Sequence, residues 1–303
     1  MIQDRPLLGI LLMVGFCVLA PMGDSIAKLL GGQIPLAQLV TTRFAVQVLI
    51  LLPLILLAGT ALAMTPRIYA MTAIRTVLHI VGIGAMFLSL QYLPLADAVA
   101  IAFVMPFIML LLGKYVLGEE VGIRRLAACA VGFVGTLMVV QPSFAAVGAP
   151  ALLPLLVVVV FALFMLVTRQ IAKEVDPIAL QAVSGVMACV FLVPLIALGA
   201  TFDWALLEPV APTGRIWWML FGLGAIGTLA HLLMTWSLRF APSATLAPMQ
   251  YLEIPFATLI GWIVFRDLPN GLAAIGIAIT MAAGLYIILR EQAVSRSKRP
   301  SPP

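Results

Sequence analysis

The stretch Tyr92-Leu93-Pro94-Leu95-Ala96-Asp97-Ala98 decides the architecture, because its order of motifs occurs twice in the chain. It is followed by Met105-Pro106-Phe107, Leu117-Gly118-Glu119 and Gly132-Phe133-Val134-Gly135. Further on come Phe240-Ala241-Pro242-Ser243-Ala244-Thr245-Leu246, then Ile254-Pro255-Phe256, Phe265-Arg266-Asp267 and Met281-Ala282-Ala283-Gly284. The chain is therefore read as an internal repeat, and what each copy builds depends on the solvent it meets.

That solvent is mostly lipid. Of 303 residues, 63% are hydrophobic and 10% are charged, against roughly 45–50% and 25% in an ordinary soluble domain. The mean hydropathy is +1.18. A soluble chain needs charged surface, whereas a lipid-facing one must lack it. The apolar run from Pro6 to Ala20 could pass for a secretory signal, but the leader Met1-Ile2-Gln3-Asp4-Arg5 has no net side-chain charge, Pro21 follows the would-be cut and further apolar spans come after it. It reads as a retained first helix.

Crossing the hydrocarbon takes about 20 mostly apolar residues, and Pro, Gly and charge cut the chain into ten such segments. Their limits are 7–30, 34–59, 68–92, 95–117, 122–140, 150–172, 177–200, 215–239, 243–265 and 270–290. The expected fold is an all-α integral membrane protein with ten transmembrane helices: a first repeat over 1–140, a connecting loop over 141–149, a second repeat over 150–290 and a disordered basic tail over 291–303. Five spans per copy is odd, so the second copy is inverted in the bilayer. Inverted repeats are an architecture of secondary transporters, with the substrate site near the midplane between the halves. With both termini cytoplasmic, the inner side receives Arg5, Arg67, Arg75, Lys114, Arg124, Arg125, Arg169, Lys173, Arg239, Arg290, Arg296, Lys298 and Arg299. The outer side receives Lys28, Arg43, Arg215 and Arg266. This is a positive-inside bias, and it accounts for the net charge of +5 without a nucleic-acid partner.

Pro106 and Pro255 occupy the same place in the two copies, near the middle of their spans. A mid-helix proline frees a carbonyl, which is tolerated at membrane depth only beside protein or a water-filled cavity. Two roles are open to the pair: helix breaks lining a central pathway, or packing kinks.

The stretch Tyr92 to Phe103, the loop Leu117-Gly118-Glu119-Glu120 and the segment Gln250-Tyr251-Leu252-Glu253-Ile254-Pro255-Phe256 together resemble the EamA-type carriers of the drug/metabolite transporter superfamily. Asp24-Ser25-Ile26-Ala27-Lys28 is similar to a subset that includes uptake carriers for S-adenosylmethionine and riboflavin. The resemblance implies a ten-helix inner-membrane carrier working by alternating access without ATP hydrolysis. Its cargo would be a small organic metabolite such as a vitamin, an amino acid or a nucleotide-like compound, with a coupling proton or ion as a further partner. Arg266 stands where the family usually has glycine, before the acidic Asp267.

An ionisable side chain at the centre of a membrane helix costs about 2.5–3.5 kcal/mol on insertion scales, so each is a candidate for function. Asp24 and Lys28 stand i, i+4 on the first span and can pair with each other or face a substrate. Arg43 lies deep in the second span, with Gln47 one turn on, where it would attract an anionic group or pair with an acid such as Asp24. His79 shares a face of the third span with Arg75, Gly82, Met86 and Ser89; it is open to binding a proton or an aromatic substrate, or to a structural role. Glu253, with Gln250 and Tyr251 just before Pro255, is the strongest candidate for a cationic group or a coupling proton. Trp236 and Tyr251 offer stacking surfaces, or serve packing.

Other chemistries lack their residues. Cys17, Cys129 and Cys189 lie singly in apolar runs and the chain has two histidines, which excludes a disulfide framework and disfavours a zinc site. Gly222-Leu223-Gly224-Ala225-Ile226-Gly227 has dinucleotide-binding spacing, but it sits inside an apolar span with no strand before it, so close helix packing explains it better and no cofactor is implied. Glu119-Glu120 reads as a solvated turn. No enzyme motif is present to support an intramembrane enzyme, and sparse, unringed charges favour a carrier over a channel.

Overall fold

The computed structural model describes residues 5–59, 64–102, 104–116, 123–201, 207, 209–242 and 246–297. These are helical and turn segments, without a strand among the described residues. The helices are α1 (Pro6–Leu30), α2 (Leu36–Ala58), α3 (Pro66–Ser89), α4 (Leu95–Ala102), α5 (Met105–Val116) and α6 (Ile123–Val147). After them come α7 (Leu153–Ile171), α8 (Pro177–Thr201), α9 (Arg215–Phe240), α10 (Glu253–Phe265) and α11 (Gly271–Ser297). Two 3-10 turns, Ala149–Leu152 and Ala247–Leu252, precede α7 and α10.

Local chemistry sets the ends. Proline opens α1, α3 and α8, where the missing N–H is one of the unpaired donors of a first turn. Thr65 caps α3 by accepting from the Ile68 N–H at 3.4 Å, Asp176 caps α8 through Ile178 and Ala179, and Asn270 caps α11 through Ala273. Gly59 ends α2 with φ of 61°, a left-handed conformation that glycine adopts without Cβ strain.

Polarity is distributed for lipid. Leu56, Leu57, Val190 and Phe191 are exposed, while Gln47, Arg75, His79, Gln181 and Gln250 are fully buried. Among the described residues, seven helices are long and apolar enough to cross a membrane unaided. Trp217 and Trp218 stand exposed at the start of α9, where indole rings anchor at a headgroup boundary. The chain is a multi-pass membrane protein.

Three boundaries differ from the sequence expectation. The fourth span is not one helix: α4 stops at Ala102, Val104 lies in a turn and α5 starts at Met105. The segment expected to be a loop over 141–149 is helical through Val147, with the Ser143 hydroxyl shared between the Val139 carbonyl and Asp97 Oδ2 of α4, each at 3.1 Å. The tail expected to be disordered from 291 continues α11 to Ser297, where Glu291-Gln292-Ala293 are good helix formers. The Glu119-Glu120 loop and residues 298–303 lie outside the described residues.

The helices pack in a definite pattern. α1 lies along α9 and α3 along α7; α2 packs on α8 and α9, α6 on α11, and α10 on α1 and α4. Side-chain contacts then define two ends of the bundle. At one end the Arg5 N–H donates to the Phe240 carbonyl, Arg67 pairs with Glu174 at 3.2 Å and Arg239 reaches the Val175 carbonyl. At the other, Lys28 meets Leu93 and Asp267, and Gln38 bonds the backbone of Val210.

Candidate functional site

On α1, Phe16, Ala20 and Asp24 follow one another at four-residue spacing, so they share a face. That face, with Ile83, Met86 and Phe87 of α3, Val157, Val158 and Phe161 of α7, and the broken helix at Val99, Ala102 and Met105, encloses a cavity of about 680 Å³. His231 of α9 and Glu253, the first residue of α10, complete it. The lining is that of a small-molecule site, mostly apolar with a few polar groups. Phe16 and Phe161 stack with centroids 6.2 Å apart. A smaller recess of about 330 Å³ adjoins it, sharing Ala20, Asp24, Ile83, Phe87 and His231 and adding Arg43.

Arg43 is almost fully buried. Its Nη2 lies 2.9 Å from His231 Nδ1 and 3.4 Å from the Gly227 carbonyl, while Nη1 has no partner among the described residues. Gly227 makes this position possible, since a Cβ there would come within 2.7 Å of Arg43 Nε. Asp24 does not pair with Lys28, one turn beyond it. Lys28 sits at the helix end, where it donates to the Leu93 carbonyl at 2.9 Å and meets Asp267 Oδ2 at 3.5 Å. Among the described residues the ion pairs are Lys28 with Asp267 and Arg67 with Glu174, so the cavity's two carboxylates, Asp24 and Glu253, have no cationic side chain within pairing distance.

A polar layer lies next to the cavity. His79 is enclosed by Phe44, Phe164 and His231, with centroids 5.1, 4.6 and 4.3 Å away, and neither ring nitrogen has a hydrogen-bond partner among the described residues. Arg75 stacks 4.4 Å over Phe164 and donates to Thr168 at 2.8 Å and Ser184 at 3.1 Å. Gln47 donates to the Gln181 carbonyl at 2.6 Å. Apart from Phe44 with His79, each of these contacts crosses from one half of the chain to the other.

Of the residues singled out in the sequence, the structure brings Asp24, Glu253 and Arg43 together around the cavity and its recess, with His79 one ring behind. Gln250 is buried beside it, donating to Met165 Sδ at 3.1 Å. Tyr251 packs among Leu95, Ile101, Ala257 and Ala273, and Trp236 packs against Leu51, Ile55, Ala182 and Leu232; neither lines the cavity. Pro106 and Pro255 are not mid-helix: each stands in the first turn of its helix, α5 and α10, where a missing N–H costs least. The breaks lie just before them. Carbonyls freed there are covered by protein, as where Cys17 Sγ approaches the Met249 carbonyl at 3.5 Å. The Pro106 side chain lies outside the description. Phe16 and Phe161 also line the cavity, and in the sequence only the Phe16-Ala20-Asp24 spacing signals the first of them.

The profile of the EamA-like transporter family matches this chain twice, over residues 7–141 and 149–290. A riboflavin transporter of Brucella anthropi is 26% identical over 84% of this chain and 88% of its own. An S-adenosylmethionine uptake transporter of Rickettsia prowazekii is 22% identical over 94% and 93%. A pseudopaline exporter of Pseudomonas aeruginosa is 26% identical over 99% and 100%. A protein of known crystal structure, 20% identical, superposes with a TM-score of 0.67 over 95% of this chain and 98% of that one, a likeness of fold.

Proposed function

Because the chain belongs to the EamA-like transporter family, and so is a transporter rather than an enzyme, we propose that it carries a small organic metabolite across the cytoplasmic membrane as a secondary transporter. Two inverted five-span halves, 1–140 and 150–290, alternate access to the cavity between them, with both termini cytoplasmic. The double profile match supports the halves. So does the packing, which is unchanged when the halves are exchanged: α1 lies on α9 as α7 lies on α3, while α2 meets α8 and α6 meets α11. Riboflavin and S-adenosylmethionine, the cargoes named for relatives, set the size of cargo to test first.

The observation that carries the reading is the cavity itself. Both halves line it, and it holds Asp24 and Glu253 without a cationic partner. A carboxylate at membrane depth is tolerated only with a partner or a function. Glu253 and Asp24 then take a cationic group of the cargo or a coupling proton. Saturable uptake with counterflow in proteoliposomes, across vitamins, amino acids and S-adenosylmethionine, with and without a pH gradient, is the expected behaviour. Flux that never saturates and shows no counterflow would mean a channel. In the same assay Glu253→Gln keeps volume and hydrogen bonding, so the melting temperature holds while flux falls at least tenfold, about one charge-assisted contact. Normal flux per folded molecule would remove Glu253 from the mechanism.

A further inference from the structure

The small recess beside the main cavity places an acid and a base, Asp24 and Arg43, against one volume of about 330 Å³ without pairing them. Arg43 is held on the α9 side by His231 Nδ1 and the Gly227 carbonyl, in space that exists because residue 227 has no Cβ. This anchoring uses Nη2 and leaves Nη1 buried with no partner among the described residues. A buried guanidinium nitrogen without an acceptor is costly unless a ligand completes it.

Resting on the transport reading above, we propose that this recess is the subsite for an α-amino-acid head, the ammonium going to Asp24 and the carboxylate to the Arg43 guanidinium. The bulky part of the cargo then occupies the larger cavity, against the stacked rings of Phe16 and Phe161. The two charges of an amino-acid head sit on one carbon, so a single head can satisfy two side chains that face one small recess without touching. A neutral head would leave both charges unsatisfied, and a simple cation would use only Asp24. Glu253, in the larger cavity, remains available for a positive charge on the body of the cargo. The cargo class is thus an amphoteric metabolite, an amino acid carrying a large planar side group.

The test uses the purified full-length protein and two matched comparisons, with binding read by calorimetry and transport by counterflow. S-adenosylhomocysteine and 5′-methylthioadenosine share a body and differ in the amino-acid head; tryptophan and indole-3-propionate differ only in the ammonium group. The headed member of at least one pair should bind about 10–100-fold more tightly, the loss expected for one charge-assisted hydrogen bond left unmade. Asp24→Asn should erase that preference in both pairs and Arg43→Gln should shrink it in the adenosyl pair, each leaving 5′-methylthioadenosine unchanged, whereas indole-3-propionate, which keeps its carboxylate, should lose affinity with Arg43→Gln alone; thermal stability is recorded on the same samples. Should either variant fail to fold, the wild-type comparison still decides. Equal binding within both pairs, binding of neither amino acid, an Asp24→Asn that weakens both members of a pair alike, or an Arg43→Gln that weakens 5′-methylthioadenosine as much as S-adenosylhomocysteine would overturn the subsite. Riboflavin counterflow without amino-acid binding would overturn the subsite and leave the transport reading standing. Amino-acid binding without counterflow of any compound would do the reverse.

Discussion

Arg266 closes α10 with φ of 60°, the one non-glycine residue in the left-handed region among the described residues. A side chain in that conformation strains its Cβ against the following carbonyl by roughly 1–2 kcal/mol, whereas glycine there loses somewhat more chain entropy on folding. Arg266→Gly should therefore raise stability by about 0.5–1 kcal/mol, seen as a higher melting temperature in detergent; a lower one would mean that the guanidinium makes a contact worth more than the strain. The sequence departs here from the glycine that the resemblance leads one to expect, and the backbone shows what that departure costs. At the cavity the same division holds. Asp24, Arg43 and Glu253 stand out in the sequence because charge inside an apolar span is conspicuous. Phe16 and Phe161 do not, since a phenylalanine lining a cavity and one packed in a core leave the same mark on a sequence. Trp236 and Tyr251 were drawn to the site by their chemistry, but packing against neighbours decides where an aromatic ring points.

At the scale of elements, α9 shows how a pattern with a tempting chemical reading is explained by packing. Gly222-Leu223-Gly224-Ala225-Ile226-Gly227 has the spacing of a phosphate-binding turn, yet all six residues lie within one helix. A Cβ on Gly224 would overlap the branched Val46 side chain of α2, and one on Gly227 would press on Arg43. Gly224→Ala should cost about 1–3 kcal/mol, since extra volume against a stiff β-branched partner forces the two helices apart. Thermal unfolding in detergent measures this, and the paired change Gly224→Ala with Val46→Ala should recover part of the loss; no loss in the single variant would show that α2 and α9 do not hold this separation. Element type was legible throughout because twenty-residue apolar runs admit little but helix. Element ends were not. The break between α4 and α5 falls in the apolar run Ala100-Ile101-Ala102-Phe103-Val104, which carries no turn residue. Only the proline after it hints that a helix restarts there, and its place in the first turn of α5 moves the break upstream of where a mid-helix kink would put it.

For the whole molecule, charge and contact point to the same arrangement in the membrane by separate routes. Lysine and arginine gather on one set of connections, the side proposed above to face the cytoplasm. Independently, contacts between residues far apart in sequence sort the connections into two groups: Arg67 with Glu174 and Arg239 with Val175 at one end, Lys28 with Asp267 and Gln38 with Val210 at the other. The first group belongs to the basic side and the second to the other, so packing sorts these connections into the same two sides as charge does. Both lines lead to one expected result. Cysteine placed at the exposed Lys173 should react with a membrane-impermeant maleimide only from the cytoplasmic side, and cysteine at the exposed Val210 only from the opposite side. The unmodified protein serves as the blank for Cys17, Cys129 and Cys189. Reversed labelling of both positions would leave the bundle intact and invert it in the membrane, so the basic connections would face outward against the bias. Labelling of both from one side is the more damaging outcome. Residues 173 and 210 flank α8 on its two sides, and their appearance together would mean that α8 does not cross the bilayer and that the exchange of halves, on which alternating access depends, is not built as proposed.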